Sequence, residues 1–242
     1  MKLIEKMKQK SADVSLHEGV TIAFIGDSVT QGCFELYRDE DGGTGVVFDQ
    51  TSGYTRKVAD ILAYLYPKVP ISIINAGISG DRSVSARERV ERDVLRHAPD
   101  LTVVCFGLNE CGRGEASVQS YVKGLGDIFD QLQAAGCETV YMSPNMKNTR
   151  ISAGLLDTEA IRKMAEYGMQ VQTDGTFDAH IEAAKKLCVE RHIPVCDCYA
   201  LWKTLYASGV DTTALLSNRL NHPEREMHWM FAYELVKTFL LN

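Results

Sequence analysis

The sequence predicts an α/β protein built on a five-stranded parallel sheet with helices on both faces. Short apolar runs at 20–25, 71–74, 101–106, 139–142 and 194–196 alternate with longer stretches of helical periodicity, the rhythm of βαβ units. Three of these runs end in polar or glycine-rich turns, at Gly26-Asp27-Ser28, Asn75 to Asp81 and Gly107-Leu108-Asn109, where ligands collect in open α/β sheets. No Pro/Ser-rich linker, composition break or long repeat divides the 242 residues, so a single domain spanning 1–242 is expected.

Taken in order, residues 1–19 are polar and suit a short helix or an arm. The first strand follows, then Gly26, Asp27, Ser28 and, four residues on, Gly32. Residues 33–52 contain EDGGTG with little periodicity and read as a long loop over the carboxyl face. Val58, Ile61, Leu62 and Leu65 give 54–66 helical spacing, closed by Pro67. After the second strand, Val84, Val90, Val94 and Leu95 give 83–97 an inward stripe, while its arginines alternate with acids as on a solvated helix face. A helix over 117–135 should end at Gly136, which suits the left-handed position after a helix. Residues 143–157 read as loop, 160–167 as a short helix, and 175–192, 199–206 and 225–240 as further helices.

The composition is that of an ordinary globular protein, 45% hydrophobic and 24% charged, with a net charge of -6. Such a balance, without a Lys/Arg track, argues against nucleic acid as a partner. No apolar run approaches the length of a membrane span, and residues 1–10 lack the apolar segment of a secretory signal. The seven cysteines are odd in number and sit mostly in apolar runs, which suits reduced thiols in a cytoplasmic protein. Cys196-x-Cys198 is too closely spaced for the usual zinc pair and has no Cys/His partner pair, so no metal is expected.

The polar turns carry the chemistry. A serine at a strand's carboxyl end is nucleophilic only if a base takes its proton and donors stabilise the oxyanion. Ser28 is neither in a Gly-x-Ser-x-Gly elbow nor in a phosphate-binding loop; on its own it equally suits a helix cap. Adjacent parallel strands are about 5 Å apart, so the Ser28 and Gly80 N–H groups and the Asn109 amide can converge on one oxyanion. Each such donor is typically worth about 2.7–4 kcal/mol at the transition state. His222, in Asn221-His222-Pro223, is the candidate general base. A histidine before a proline also suits a plain helix start, and Asn75 and Asn109 also suit satisfying turn backbone. His228, inside the last predicted helix, reads as structural. Asp27 reads as a support for the serine turn, and Glu110 as serving a similar local role.

Gly26-Asp27-Ser28 with Gly32, Asn75-Ala-Gly-Ile-Ser-Gly80, Gly107-Leu108-Asn109-Glu110 and His222-Pro223 come in the order of the SGNH hydrolases, the GDSL-type esterases and lipases, which this chain resembles over nearly its whole length. The resemblance implies a flavodoxin-like three-layer α/β/α sandwich and a serine esterase without cofactor, with Gly80 among its oxyanion donors. It departs from the family in two places. Glutamate stands at position 110 where aspartate is usual, and Arg219 stands three residues before His222 where the family has the aspartate that orients the histidine. Arginine cannot accept the imidazole N–H. Either a backbone carbonyl near 218–220 orients the ring, another acid such as Glu224 or Asp211 reaches it, or the site is weak or dead.

The expected partner is a small-molecule acyl ester, with neither nucleic acid nor membrane. The acidic, Gly-rich 33–52 stretch argues against a long-chain lipase, and the NHP block resembles carbohydrate acetylesterase members. The first expectation is therefore hydrolysis of a small acyl ester of a carbohydrate or similar polar compound. The alternatives are a thioesterase or lysophospholipase using the same residues, or a binding module that has lost turnover.

Overall fold

A computed structural model describes residues 1–110 and 112–242. It contains a five-stranded parallel sheet in which Ile71–Gly77 (β4), Val20–Gly26 (β1), Leu101–Cys105 (β5), Glu138–Met142 (β6) and Val195–Cys196 (β7) lie side by side in that order. The elements run α1 (Lys2–Ala12), β1 (Val20–Gly26), α2 (Ser28–Gln31), β2 (Cys33–Arg38), β3 (Thr44–Phe48), α3 (Tyr54–Leu65), β4 (Ile71–Gly77), α4 (Ser83–Ala86), α5 (Val90–Asp93), β5 (Leu101–Cys105), α6 (Glu115–Ala134), β6 (Glu138–Met142), α7 (Glu159–Thr173), α8 (Thr176–Glu190), β7 (Val195–Cys196), α9 (Cys198–Ala207) and α10 (Met227–Leu241). No helix among the described residues is long and apolar enough to cross a membrane.

Alternation along the strands builds two cores. Ile22 and Phe24 of β1 face one side with Val103 of β5 and Val140 of β6, against Val58 of α3 and Phe231 of α10. Ala23 and Ile25 face the other with Val104 and Tyr141, against Val90 of α5 and Leu125 of α6. Because successive strand residues point to opposite faces, a sheet covered on both sides needs strands apolar at nearly every position, as β1 and β5 are. The chain winds from β1 to β4 on one side, then returns past β1 to β5 on the other. A reversal of this kind opens a crevice at the carboxyl ends of β1 and β5.

Three elements differ from the sequence expectation. The 33–52 loop contains an antiparallel hairpin, β2 with β3; its alternation is interrupted by a register shift between Cys33 and Leu36, which hides the period of two. The helix expected over 83–97 is broken into α4, α5 and 3₁₀ turns, because Arg89 adopts φ -117°, ψ 3°. That turn points its guanidinium inward, and Arg89 is buried rather than solvated. Finally, α7 runs to Thr173, well past the expected 160–167. Gly168 inside it lowers helix propensity, but a Cβ there would meet Asn148 Oδ1 at 2.6 Å, so the glycine serves packing. The expectation at Gly136 holds: its φ is +72°, and its N–H and that of Cys137 bond back to Gln133 and Leu132.

Candidate active site

The serine turn is built by close packing at the end of β1. A Cβ at Gly26 would meet Thr30 Oγ1 at 2.1 Å and the Cys105 carbonyl at 2.6 Å, so only glycine lets the strand turn directly into α2. Asp27 caps that one-turn helix, its Oδ1 accepting from Val29 N–H at 3.0 Å. Gly32, at φ +92°, ends it. Ser28 opens the turn and is only 3% exposed; the hydroxyl is enclosed rather than presented at an open strand end.

The second turn is tied to the first. Asn75 donates to the Thr30 carbonyl at 2.9 Å and accepts from Gly77 N–H at 3.0 Å, so it satisfies turn backbone. Ile78 N–H donates to the Gly26 carbonyl, and Ser79 N–H to Gln31 Oε1. Gly80, at φ +78° with open space where a Cβ would lie, has no hydrogen-bond partner on its N–H among the described residues. Asn109 Nδ2 donates to the Asp81 carbonyl at 2.9 Å, bringing the β5 turn against the Gly80 turn. No hydrogen bond joins either residue to Ser28 or His222 among the described residues.

Glu110 folds its carboxylate inward, accepting from Gly107 N–H at 3.1 Å and from Ser83 N–H. The longer side chain thus fastens the Asn109 turn to the start of α4, and burial raises its pKa. Beneath both turns lies Arg89, which sequence reasoning placed on a solvated face. It donates to the Ala76 and Gly26 carbonyls and pairs with Asp81 at 2.6 Å.

His222 stands in a loop knotted by two residues upstream of it. Asn218 Oδ1 accepts from the N–H groups of Leu220, Asn221 and His222, each at 2.9 Å. Arg219, at φ +61°, donates to the Leu216 carbonyl and to Glu224. Asn145 holds the Asn221 carbonyl from β6's side at 2.8 Å. His228 is buried, its ring centroid 5.0 Å from that of Phe34, and accepts from Tyr54 N–H.

The structure brings Ser28 and His222 together: Oγ lies 2.9 Å from Nε2. On the far side of the ring, Nδ1 lies 2.8 Å from the Phe34 carbonyl. A carbonyl only accepts, so Nδ1 carries the proton, and the neutral ring offers the lone pair of Nε2 to the Ser28 hydroxyl. This is the tautomer a general base requires. The orienting group is a main-chain oxygen, but it comes from β2, not from 218–220. Glu224 pairs with Arg219 and Asp211 with Arg150, so neither acid meets the ring. Glu224→Gln and Asp211→Asn are accordingly expected to keep most esterase activity in steady-state assays. A loss beyond about 10²-fold in either, with the fold intact, would make that acid the true orienting group.

Burial sets the protonation states. It pushes the His222 imidazole down to about 4, against the Phe34 hydrogen bond, which favours the charged form; the nearby Lys147 charge lowers it further. Burial pushes Asp27 up to about 7, opposed by the Val29 N–H, with Glu110 raising it further. The folded protein therefore keeps a proton on Asp27 that the unfolded chain releases near pH 4. Stability from this group is lost as pH rises from about 4 to about 7. Asp27→Asn keeps a cap and removes that slope. In urea titrations the variant should gain on the parent between pH 5 and pH 8 by on the order of 2–4 kcal/mol. His222 titrates in both proteins, so the difference isolates Asp27; parallel stability profiles would contradict the assignment.

A cavity of about 340 Å³ opens beside these turns, lined by Arg82, Asn109, Lys147, Met164, Tyr167 and Asn221. Lys147 is buried there, donating to the Leu108 carbonyl at 2.6 Å. A larger hollow of about 490 Å³ lies at the amino end of the sheet, between Met1, Glu138 and Pro194, remote from Ser28. Sequence reasoning missed Phe34, Asn218, Lys147 and Arg89. Only Asn218, a turn-forming residue four positions before His222, left a local signal.

The model of the GDSL-like Lipase/Acylhydrolase family matches residues 24–230. An acetylxylan esterase from Geobacillus stearothermophilus is 31% identical over 100 residues, 41% of this chain and 44% of that protein; the match thus spans less than half of that relative. Among solved structures, Axe2, an acetylxylan esterase from the same organism, superposes with a TM-score of 0.64 at 20% identity, over 91% of this chain and 94% of its own. A two-domain esterase active on acetylated mannans superposes with a TM-score of 0.66 at 18% identity, over 98% of this chain and 51% of its own. At these identities the structural likeness establishes the fold alone.

Proposed function

Because the chain belongs to the GDSL-like lipase/acylhydrolase family, we propose that it hydrolyses a small, acetyl-like ester of a carbohydrate or similar polar compound through Ser28 and His222. The observation that carries this reading is the 2.9 Å contact between Ser28 Oγ and His222 Nε2, with Nδ1 engaged by a carbonyl.

In the proposed reaction, Ser28 Oγ attacks the ester carbonyl carbon as its proton passes to His222 Nε2. The N–H groups of Ser28 and Gly80 and the Asn109 amide receive the developing oxyanion. Collapse of the tetrahedral intermediate expels the alcohol, which takes the proton from Nε2. Water, deprotonated by the same nitrogen, then frees Ser28 and releases the carboxylic acid. The depressed pKa of His222 keeps it neutral and ready to accept at working pH. The likeness to proteins named for acetylated polysaccharides supports a short acyl group on a sugar. The free, buried cysteines among the described residues support a reducing compartment, the cytoplasm.

Acyl-chain profiling tests the proposal. With a series of p-nitrophenyl esters, kcat/KM should be greatest for acetate and fall with chain length, and acetylated xylo-oligosaccharides should release acetate. A maximum at medium or long chains would move the protein to the thioesterase or lysophospholipase class. A fluorophosphonate that never labels Ser28, in a protein that still binds acylated sugar, would make it a binding module.

A further inference from the structure

The Phe34 carbonyl stands where the family has a carboxylate, yet it lies where the β2–β3 ladder is interrupted. Between the pairs Cys33↔Phe48 and Leu36↔Val46, three residue steps on β2 face two on β3. Phe34 and Glu35 therefore form a β-bulge, where the ladder is interrupted and carbonyls are re-aimed. A bulge frees the Phe34 oxygen for His222, but the ladder alone does not fix its direction.

Arg225, three residues after His222, meets the bulge from the other side. Its two terminal nitrogens pair with both carboxylate oxygens of Glu35, Nη2 at 3.1 Å and Nη1 closer still. Its Nε donates to Asp49 at 3.1 Å. Asp49 is in turn anchored by Thr51 and Ser52, and its N–H bonds the Gly32 carbonyl. The guanidinium also lies over the Phe34 ring, 4.3 Å from its centroid, so one side chain touches the bulge at both of its residues. The planar fork of arginine suits such bidentate and stacked contacts, which lysine does not reproduce.

We propose that Arg225 is a positioning residue: by clamping Glu35, Asp49 and the Phe34 ring, it holds the Phe34 carbonyl against His222 Nδ1 and so keeps the general base in its active tautomer. This rests on the Ser28–His222 reading above. The clamp is partly solvent-exposed, with side-chain exposures of 32% for Arg225 and 40% for Glu35. Ion pairs of this kind contribute little to global stability. A displacement of about 1 Å in a catalytic group, by contrast, can cost about 10²-fold in rate. The clamp should therefore show in turnover far more than in melting temperature.

The experiment compares Arg225→Ala, Arg225→Lys and His222→Ala in the full chain, with p-nitrophenyl acetate as substrate and the His222 ring Nδ1–H followed by proton and nitrogen NMR. Arg225→Ala should lower kcat by about 10–10²-fold with KM nearly unchanged, and lose or broaden the Nδ1–H resonance. Millimolar guanidinium should restore part of kcat in Arg225→Ala but not in His222→Ala, and Arg225→Lys should recover less than the parent rate. Normal kcat with an unchanged Nδ1–H resonance in Arg225→Ala, while His222→Ala is inactive, would overturn the clamp and leave the dyad standing. An active His222→Ala would instead remove the dyad itself. If Arg225→Ala does not fold, Glu35→Gln with Asp49→Asn provides the same comparison, retaining the arginine and removing its charged partners; an unaltered kcat and resonance there would equally overturn the proposal.

Discussion

Ser28→Ala is expected to lower ester turnover by about 10⁶-fold, the scale seen when a serine nucleophile is removed from a hydrolase triad. On the proposed mechanism nothing else in the site replaces the attacking oxygen: His222 would still meet the Phe34 carbonyl and the proposed donors at Gly80 and Asn109 would remain, so only background assistance survives. The stability change should be small but measurable. Ser28 is 3% exposed and its hydroxyl meets His222 Nε2, and removing it leaves a buried acceptor unpaired, a cost of about 1–3 kcal/mol. Initial rates with a short-chain ester, alongside thermal melts, separate the two effects. Turnover equal to the parent's in a correctly folded variant would end the serine-hydrolase reading.

Arg89→Met should be the most damaging substitution for stability. Methionine fills much of the volume but leaves the Asp81 carboxylate, with only 9% of its side chain exposed, without its close cation. It also leaves the Ala76 and Gly26 carbonyls without the donors that reach them now. Breaking a buried pair from one side typically costs about 3–5 kcal/mol. For a chain of this size that corresponds to a melting-temperature drop of about 6–20 °C by calorimetry. A change below about 2 °C would show that Arg89 is not the tie between the turns.

The sheet was legible because its strands are buried on both faces and bounded by turns, so each apolar run stood out without its neighbours. Ser28 and His222, which the structure brings into contact, were legible as candidates because strand ends and a pre-helix turn are where an α/β sheet gathers its polar groups; Gly80 and Asn109 lie in such turns too, with Asn109 bonded to the Asp81 carbonyl. What orients His222 was not. A carbonyl has no letter in the sequence: Phe34 supplies an oxygen that any residue would supply, and its side chain says nothing about it. The surrounding hairpin was hidden for a related reason, since its bulge breaks the alternation that marks a strand. Arg89 was misread because intervening acids gave 83–97 the look of a solvated helix, and only a departure from helical geometry at Arg89 itself turns it inward.

The Ser28–His222 and His222–Phe34 contacts span 194 and 188 residues of sequence, so both edges of the His222 ring depend on segments far upstream of it. Contacts of such separation close large loops before they yield any stabilisation, which slows their formation. Local helices such as α6 can form long before the last loop docks on β2. Recovery of activity during refolding should therefore wait for the segment that carries His222, and a nascent chain still short of it carries a serine turn without its proposed base. On the proposed reading the site is in this sense silent until the chain has been made past His222, a property that follows from the sequence distance between Ser28 and His222.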